Sequence, residues 1–321
     1  MTDPRPMTDP RPELLVVSPI RPGQMERLEG LFTLHRHDRA ADRHALLAEV
    51  GPRIRGVVTT GGRGLEAAII DRLPALEIVA CNAVGVDSLD LAACRARGIA
   101  VTNTPDVLTD DVADMAMALL LMARRRLVEG DAWVRSGDWA RKGMFPLTGT
   151  LTGKRLGVLG LGRIGQAIAT RAEAFRMEIG YVARSPRDAP YARFPDAEAL
   201  AAWADALIVA TPGGAETAGL VSAAVLRALG PEGTFVNISR GSVVDEPALI
   251  AALETGALGS AGLDVFAAEP GPDPRLTALP NVALSPHHGS GTVETRDAMA
   301  ALVVDNLVAH FEGRALISPV A

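Results

Sequence analysis

Three ionisable residues stand at the ends of three apolar runs in the second half of the chain. Arg240 follows Phe235–Ser239, Glu269 comes shortly after Ala261–Val265, and His287 follows Val282–Pro286 and leads into His288, Gly289 and Ser290. An arginine grips a carboxylate through two parallel hydrogen bonds. A histidine gives and takes a proton near neutrality. A carboxylate bonded to the imidazole stabilises its charged form and holds its tautomer. Together such groups orient a 2-oxo acid and protonate its carbonyl oxygen as a hydride arrives. Any one of them alone reads as a surface ion pair; three of complementary chemistry at strand ends point to a site.

A glycine loop supplies the second chemistry. Gly160-Leu161-Gly162-Arg163-Ile164-Gly165 follows the apolar run Leu156–Leu159 and opens a helical stretch. Gly160 suits the tight turn, Gly162 lets the backbone approach a pyrophosphate, and Gly165 lets the helix pack close to the strand. The first-turn N–H groups, around Arg163 and Ile164, then face the phosphates. The competing reading, a purely structural glycine turn, lacks a reason for this strand–loop–helix context. The next strand ends at Val182, where an NAD site usually carries an acid for the ribose 2′-hydroxyl. Arg184 and Ser185 follow, offering a fork and a hydroxyl to a 2′-phosphate. One charge-assisted pair of this kind is worth about 1.5–3 kcal/mol. The expected cofactor is therefore NADPH, with NADH possible; no metal-ligand spacing is present.

These residues need a scaffold, and the pattern around them supplies one. Strand-like runs at Leu14–Ser18, Leu31–His35, Arg55–Thr59, Glu77–Cys81 and Ile99–Thr102 alternate with helical stretches such as Ala40–Val50 and Gly64–Leu73. Six further runs, from Leu156–Gly160 to Val282–Ser285, alternate with helices including Ile164–Phe175 and Glu246–Glu254. Both sets predict parallel sheets covered on both faces, in an α/β protein. Between them, a helix is expected from Asp110 to Leu127, with acids at its start and arginines at its end. Its middle, Met115–Ala123, is apolar nearly all round, so it must be buried between domains, against another subunit, or inside one domain. A last helix, Thr292–Glu312, should pack back onto an earlier part of the chain.

At 321 residues the chain is long enough for about two domains. Acids outnumber bases 38 to 32, for a net charge of −6, which argues against a broad nucleic-acid footprint. No apolar run approaches a membrane span, and no signal-peptide pattern opens the chain. Two cysteines, Cys81 and Cys94, cannot build a disulfide framework. A cytoplasmic protein is the expectation. Residues 1–12 repeat one proline-rich hexamer and are expected to form a disordered tail.

Several separate motifs resemble the D-isomer-specific 2-hydroxyacid dehydrogenase family, over nearly the whole chain after the tail. They are Asn82–Asp87, Val101–Ala113, the Gly160 loop, Asn237–Gly241, Leu263–Phe266 and Pro286–Ser290. The resemblance implies two doubly wound domains. A Rossmann-type nucleotide-binding domain (104–290) is inserted into a split, flavodoxin-like substrate domain (13–103 and 291–321). It implies that Arg240 binds the substrate, that Glu269 pairs with the histidine, and that His287 is the acid/base. His287 is preferred to His288 because the family pattern reads Pro-His-x-Gly-Ser, with strand alternation pointing the two rings apart. Backbone N–H groups at Val84 and Gly85 would help hold the substrate carboxylate, and Leu108 would border the pocket. Besides the Gly160 loop (Leu161 included), Arg184 and Ser185, cofactor contacts are expected at Thr211, Pro212, Ile238, Ser239, Asp264 and Gly289. The long helix and the loop after it, with Trp139, would form much of a homodimer interface.

Within the family, the nearest likeness is to the NADPH-dependent glyoxylate, hydroxypyruvate and hydroxyphenylpyruvate reductases. The expected activity is reduction of small 2-oxo acids to D-2-hydroxy acids. The alternatives are an NAD-linked oxidative dehydrogenase and a non-enzymatic dinucleotide-sensing protein.

Overall fold

The computed structural model describes residues 11–320, which divide into two compact units. One comprises residues 11–108 and 292–320, the other residues 109–291. The expected tail lies mostly outside the described residues. Its last two positions are already anchored: the Pro12 carbonyl accepts from Thr33 N at 3.0 Å, and Arg11 donates to the Glu29 carbonyl.

The first unit holds β1 (Glu13–Val16), β2 (Thr33–Arg36), β3 (Ile54–Thr59), β4 (Ile78–Cys81) and β5 (Ala100–Thr102). They are parallel in the order β2-β1-β3-β4-β5, the flavodoxin-like arrangement. Apart from the polar edge strand β2, the strands are largely apolar without alternation because both faces are covered. Leu15, Val57, Val79 and Cys81 point into one core. Leu14, Val16, Val58, Ile78 and Ala80 point into the other, against Ala300, Val303, Val304 and Leu307 of the last helix, Val293–Phe311. That helix is capped by Thr292, whose hydroxyl accepts from Thr295 N, and the buried Asn306 on it binds the backbone at Ile317 and Ser318.

Two local expectations for this unit shift. The strand foreseen from Leu31 starts at Thr33, because Leu31 closes a helix that begins at Pro22. The helix foreseen over Gly64–Leu73 shrinks to Ala67–Ile70, since Gly64 is left-handed at φ +67° and Leu65 pairs with Leu89.

The second unit holds β6 (Arg155–Leu159), β7 (Glu178–Val182), β8 (Ala192–Arg193), β9 (Ala206–Val209), β10 (Thr234–Asn237), β11 (Ser260–Leu263) and β12 (Val282–Leu284). All are parallel, in the order β12-β11-β10-β9-β6-β7-β8. Counted from β6, this is the dinucleotide-binding order with one strand added beyond the sixth. The strand not foreseen, β8, is a two-residue exposed edge with no readable period.

The long helix runs over Thr109–Arg124 and stops short of Leu127, where Arg126 turns left-handed at φ +48°. Two short helices follow instead of a loop, Leu127–Arg135 and Asp138–Lys142. Of the three burials open to the long helix, the structure shows packing inside its own unit. A Cβ on Gly262 of β11 would lie 2.9 Å from the Leu119 backbone, so helix and sheet touch closely there. Asp110 and Asp114 of the helix also bind Arg171 of the neighbouring helix Arg163–Ala174.

The chain leaves the first unit after Leu108 rather than after Asn103. The Thr104 N–H is held by the Ala83 carbonyl, and the Val107 carbonyl by Thr295 Oγ1.

Candidate active site

Because the second sheet is parallel throughout, the segments after β6, β7, β9, β10, β11 and β12 open on one rim, where such folds bind ligands. The glycine loop occupies its centre. Gly160 has φ +98°, and a Cβ there would sit 2.8 Å from Ala210 O and Thr211 N. A Cβ on Gly165 would lie 2.0 Å from the Gly160 carbonyl, whereas one on Gly162 would meet nothing within 4 Å. Two glycines therefore permit close packing, and the third keeps the surface before the helix clear. Gly162 is the N-cap and brings no side chain to the first-turn N–H groups. Leu161 is buried, Arg163 exposed and Ile164 half-buried.

Beside this turn, Thr211 Oγ1 is buried without a hydrogen-bond partner among the described residues. Its own carbonyl accepts from Ser239 Oγ, so the segments after β9 and β10 are joined. Pro212 is exposed and Ile238 buried. A bare helix start, a cleared glycine and an unpaired buried hydroxyl together fit a bound dinucleotide.

Val182 ends β7 with its carbonyl accepting from Gly160 N at 2.9 Å, which puts a neutral residue where an acid would reach a ribose. Arg184 and Ser185 follow, both exposed. Arg184 Nη1 lies 3.2 Å from Glu216 Oε2 on the segment after β9.

On the opposite half of the rim the structure brings His287 and Glu269 together. His287 Nδ1 is 2.6 Å from Glu269 Oε2, and Glu269 Oε1 accepts from Phe266 N at 2.9 Å. Arg240 approaches this pair through its neighbour. A Cβ on Gly241 would overlap the Phe266 backbone at 2.0 Å, so the segment carrying Arg240 lies directly on the one leading to Glu269. The Arg240 carbonyl is held by Asn237 Nδ2, and its Nη1 donates to Ser239 O at 2.8 Å.

Sequence reasoning missed how His287 is held. His287 lies in a turn, not a strand, with φ +51°. Strand alternation therefore does not separate the two rings. His287 turns toward Glu269, while the His288 ring lies over Gly291, where a Cβ would meet it at 2.3 Å. The turn hangs on Asp264, only 2% exposed. Asp264 Oδ1 accepts from Ser285 Oγ at 2.5 Å and His288 N at 2.7 Å, and Oδ2 accepts from Gly289 N at 2.8 Å. Its carbonyl accepts from His287 N at 2.8 Å. An acid at the end of a buried strand, with a serine and a glycine around a later histidine, was the available signal.

In the first unit, the loop Asn82–Asp87 follows β4. Asn103 Nδ2 donates to the Val84 carbonyl at 2.9 Å, and the Cys81 thiol contacts the Gly85 carbonyl. Val84 and Gly85 are half-buried, and Leu108 is buried.

Residues 117–289 match the NAD-binding domain model of the D-isomer specific 2-hydroxyacid dehydrogenases. The chain belongs to this family. As a D-isomer specific 2-hydroxyacid dehydrogenase it is an NAD(P)-dependent oxidoreductase with a nicotinamide cofactor. It is 46% identical to a 2-ketogluconate reductase of Gluconobacter oxydans, over 97% of this chain and 99% of that protein. It is 47% identical to a hydroxyphenylpyruvate reductase of Plectranthus scutellarioides, over 96% of this chain and 98% of that one. Its fold superposes with a TM-score of 0.92 on an NADPH-dependent glyoxylate/hydroxypyruvate reductase of Sinorhizobium meliloti in complex with NADP and malonate. The two are 46% identical, with 97% of each chain covered. Among the described residues no helix is long and apolar enough to cross a membrane.

Proposed function

We propose that this dehydrogenase reduces small 2-oxo acids to D-2-hydroxy acids with NADPH, in the manner of the glyoxylate/hydroxypyruvate reductases it resembles. The observation that carries the reading is the 2.6 Å pair of His287 and Glu269 on the same sheet rim as the glycine loop. The dinucleotide, when bound, supplies the hydride. Arg240 binds the substrate carboxylate through its guanidinium. Glu269 engages His287 Nδ1, leaving Nε2 as the ring nitrogen that faces substrate. As hydride reaches C2, the Nε2 proton passes to the carbonyl oxygen. His287 is left neutral, its Nδ1–H still bonded to Glu269.

The preference for NADPH is supported by Val182 in place of an acid and by Arg184 and Ser185 beyond it. The first unit is read as the substrate domain and the second as the nucleotide domain. A homodimer is supported by exposed Leu127, Val128, Val134, Trp139, Met144 and Leu147, which cluster in one stretch of chain. The buried thiols Cys81 and Cys94 suit a reducing compartment such as the cytoplasm.

The test is steady-state kinetics with glyoxylate, hydroxypyruvate, hydroxyphenylpyruvate and 2-ketogluconate, each with NADPH and with NADH. Turnover of at least one acid, faster per micromolar NADPH than NADH, is expected. Activity confined to NAD with 2-hydroxy acids would overturn the reading in favour of an oxidative enzyme, and no turnover at all would favour a sensing protein.

A further inference from the structure

We propose that Glu216 is a specificity-determining residue: a built-in counter-anion on Arg184 that a cofactor's 2′-phosphate has to displace. The proposal rests on the NADPH reading above and adds a residue that lowers that preference. Both partners are fixed by their backbones. Arg184 sits in a loop folded back at both ends, where Arg187 N donates to Tyr181 Oη and Arg193 Nη2 to the Ala183 carbonyl. Glu216 sits in a turn closed by Thr217 Oγ1, which donates to the Pro212 carbonyl at 2.7 Å. That turn begins at Thr211, against which Gly160 packs, so it belongs to the same rim.

The charges meet at 3.2 Å while each side chain keeps more than four-fifths of its exposure (86% and 81%). Such a pair forms readily and opens readily, because water competes for both ends. A 2′-phosphate arriving at Arg184 takes over the guanidinium and leaves the Glu216 carboxylate beside a dianion. A ribose with a free 2′-hydroxyl disturbs nothing. Glu216 therefore acts against NADPH alone, and it narrows the gap between the two cofactors that Val182, Arg184 and Ser185 create.

The expected size follows from exposed charges. Releasing Arg184 from an exposed ion pair is worth up to about fivefold. Removing one like charge about 5 Å from the phosphate adds a similar factor in water. Together these give about 3- to 20-fold in affinity for the phosphorylated ligand.

The test uses calorimetry on the full chain with 2′,5′-ADP and 5′-ADP as probes, so that binding is read without turnover. Glu216→Gln is expected to tighten 2′,5′-ADP by about 3- to 20-fold and to change 5′-ADP by less than about twofold. The gain should shrink at about 1 M salt, where screening reaches within a few ångströms. In an Arg184→Ala background, the same substitution should lose the share that comes from releasing the guanidinium and keep only the like-charge factor. If Arg184→Ala weakens 2′,5′-ADP but Glu216→Gln leaves the ratio of the two ligands unchanged or lowers it, this inference falls and the NADPH reading stands. If Arg184→Ala leaves the ratio unchanged, both fall.

Discussion

Asp264→Asn is the most informative single substitution, because it keeps shape and volume while altering what holds the His287 turn. The carboxylate receives three bonds, from Ser285 Oγ, His288 N and Gly289 N, in a site 2% exposed to solvent. An asparagine can present its oxygen to one side only. With the oxygen toward Ser285 and His288, its NH2 faces the Gly289 N–H and that bond is lost. A hydrogen bond to a charged group is worth about 1.5–3 kcal/mol, and the two that survive become neutral and roughly half as strong. The sum is about 3–6 kcal/mol. For a domain of this size each kcal/mol moves the melting point by about 2–4 °C, so a drop of about 6–24 °C is expected. His287 at φ +51° pays about 1–2 kcal/mol for its left-handed backbone, and a loosened turn relaxes out of it. A general acid misplaced by about 1 Å costs about 100-fold in rate. Differential scanning calorimetry and NADPH oxidation with hydroxypyruvate read the two effects. A variant that melts within about 2 °C of wild type and keeps its kcat would refute the argument that Asp264 holds the catalytic turn.

Four further substitutions have outcomes that the structure fixes. Gly162→Ala should fold and melt like wild type, since its Cβ enters open space, yet bind NADPH at least about tenfold more weakly. Gly165→Ala should lose both stability and binding because its Cβ strikes the Gly160 carbonyl; fluorescence titration and melting separate the two, and equal behaviour of the variants contradicts the assignment. Glu269→Gln should cut kcat about 100-fold while leaving the NADPH dissociation constant unchanged, since the amide turns a donor toward Nδ1; an intact kcat would remove Glu269 from the mechanism. His37 is held below the ordinary imidazole range by burial, then by the charges of Arg43 and Arg63, against an opposing effect of Asp38. The unfolded chain therefore takes up the proton first, and stability falls as pH drops below about 6.5 toward the folded value. Urea midpoints between about pH 7 and pH 5 should fall less steeply for His37→Gln, and parallel slopes would exclude this contribution.

What could be read beforehand and what could not divide along physical lines. The buried parallel strands announce themselves as short apolar runs, so ten of the expected strands in the two sheets begin within one residue of the observed ones, from Leu14 to Val282. The eleventh, β2, was misplaced because helix Pro22–Leu31 runs straight into it and no breaker stands between. β8 escaped because two exposed residues carry no period. The glycines were legible because a missing Cβ has a specific use, and Gly160, Gly162 and Gly165 each show the contact or clearance that their spacing implies. The partnership of His287 with Glu269 could be inferred from residue type. The left-handed turn at His287, the bonds to Asp264 and the Arg184–Glu216 pair could not, since each depends on backbone directions that only packing defines.

In the proposed reaction His287 protonates a 2-oxo acid while hydride arrives from NADPH. This reaction is tested most directly by incubating hydroxypyruvate with NADPH deuterated at the nicotinamide C4, and analysing the product by mass and by chiral chromatography. The expected product is D-glycerate carrying one deuterium at C2. The rate should fall at least about 1,000-fold in His287→Ala, in a protein that still binds NADPH. An L-configured product, a product without the label, or a His287→Ala variant with undiminished turnover would contradict it.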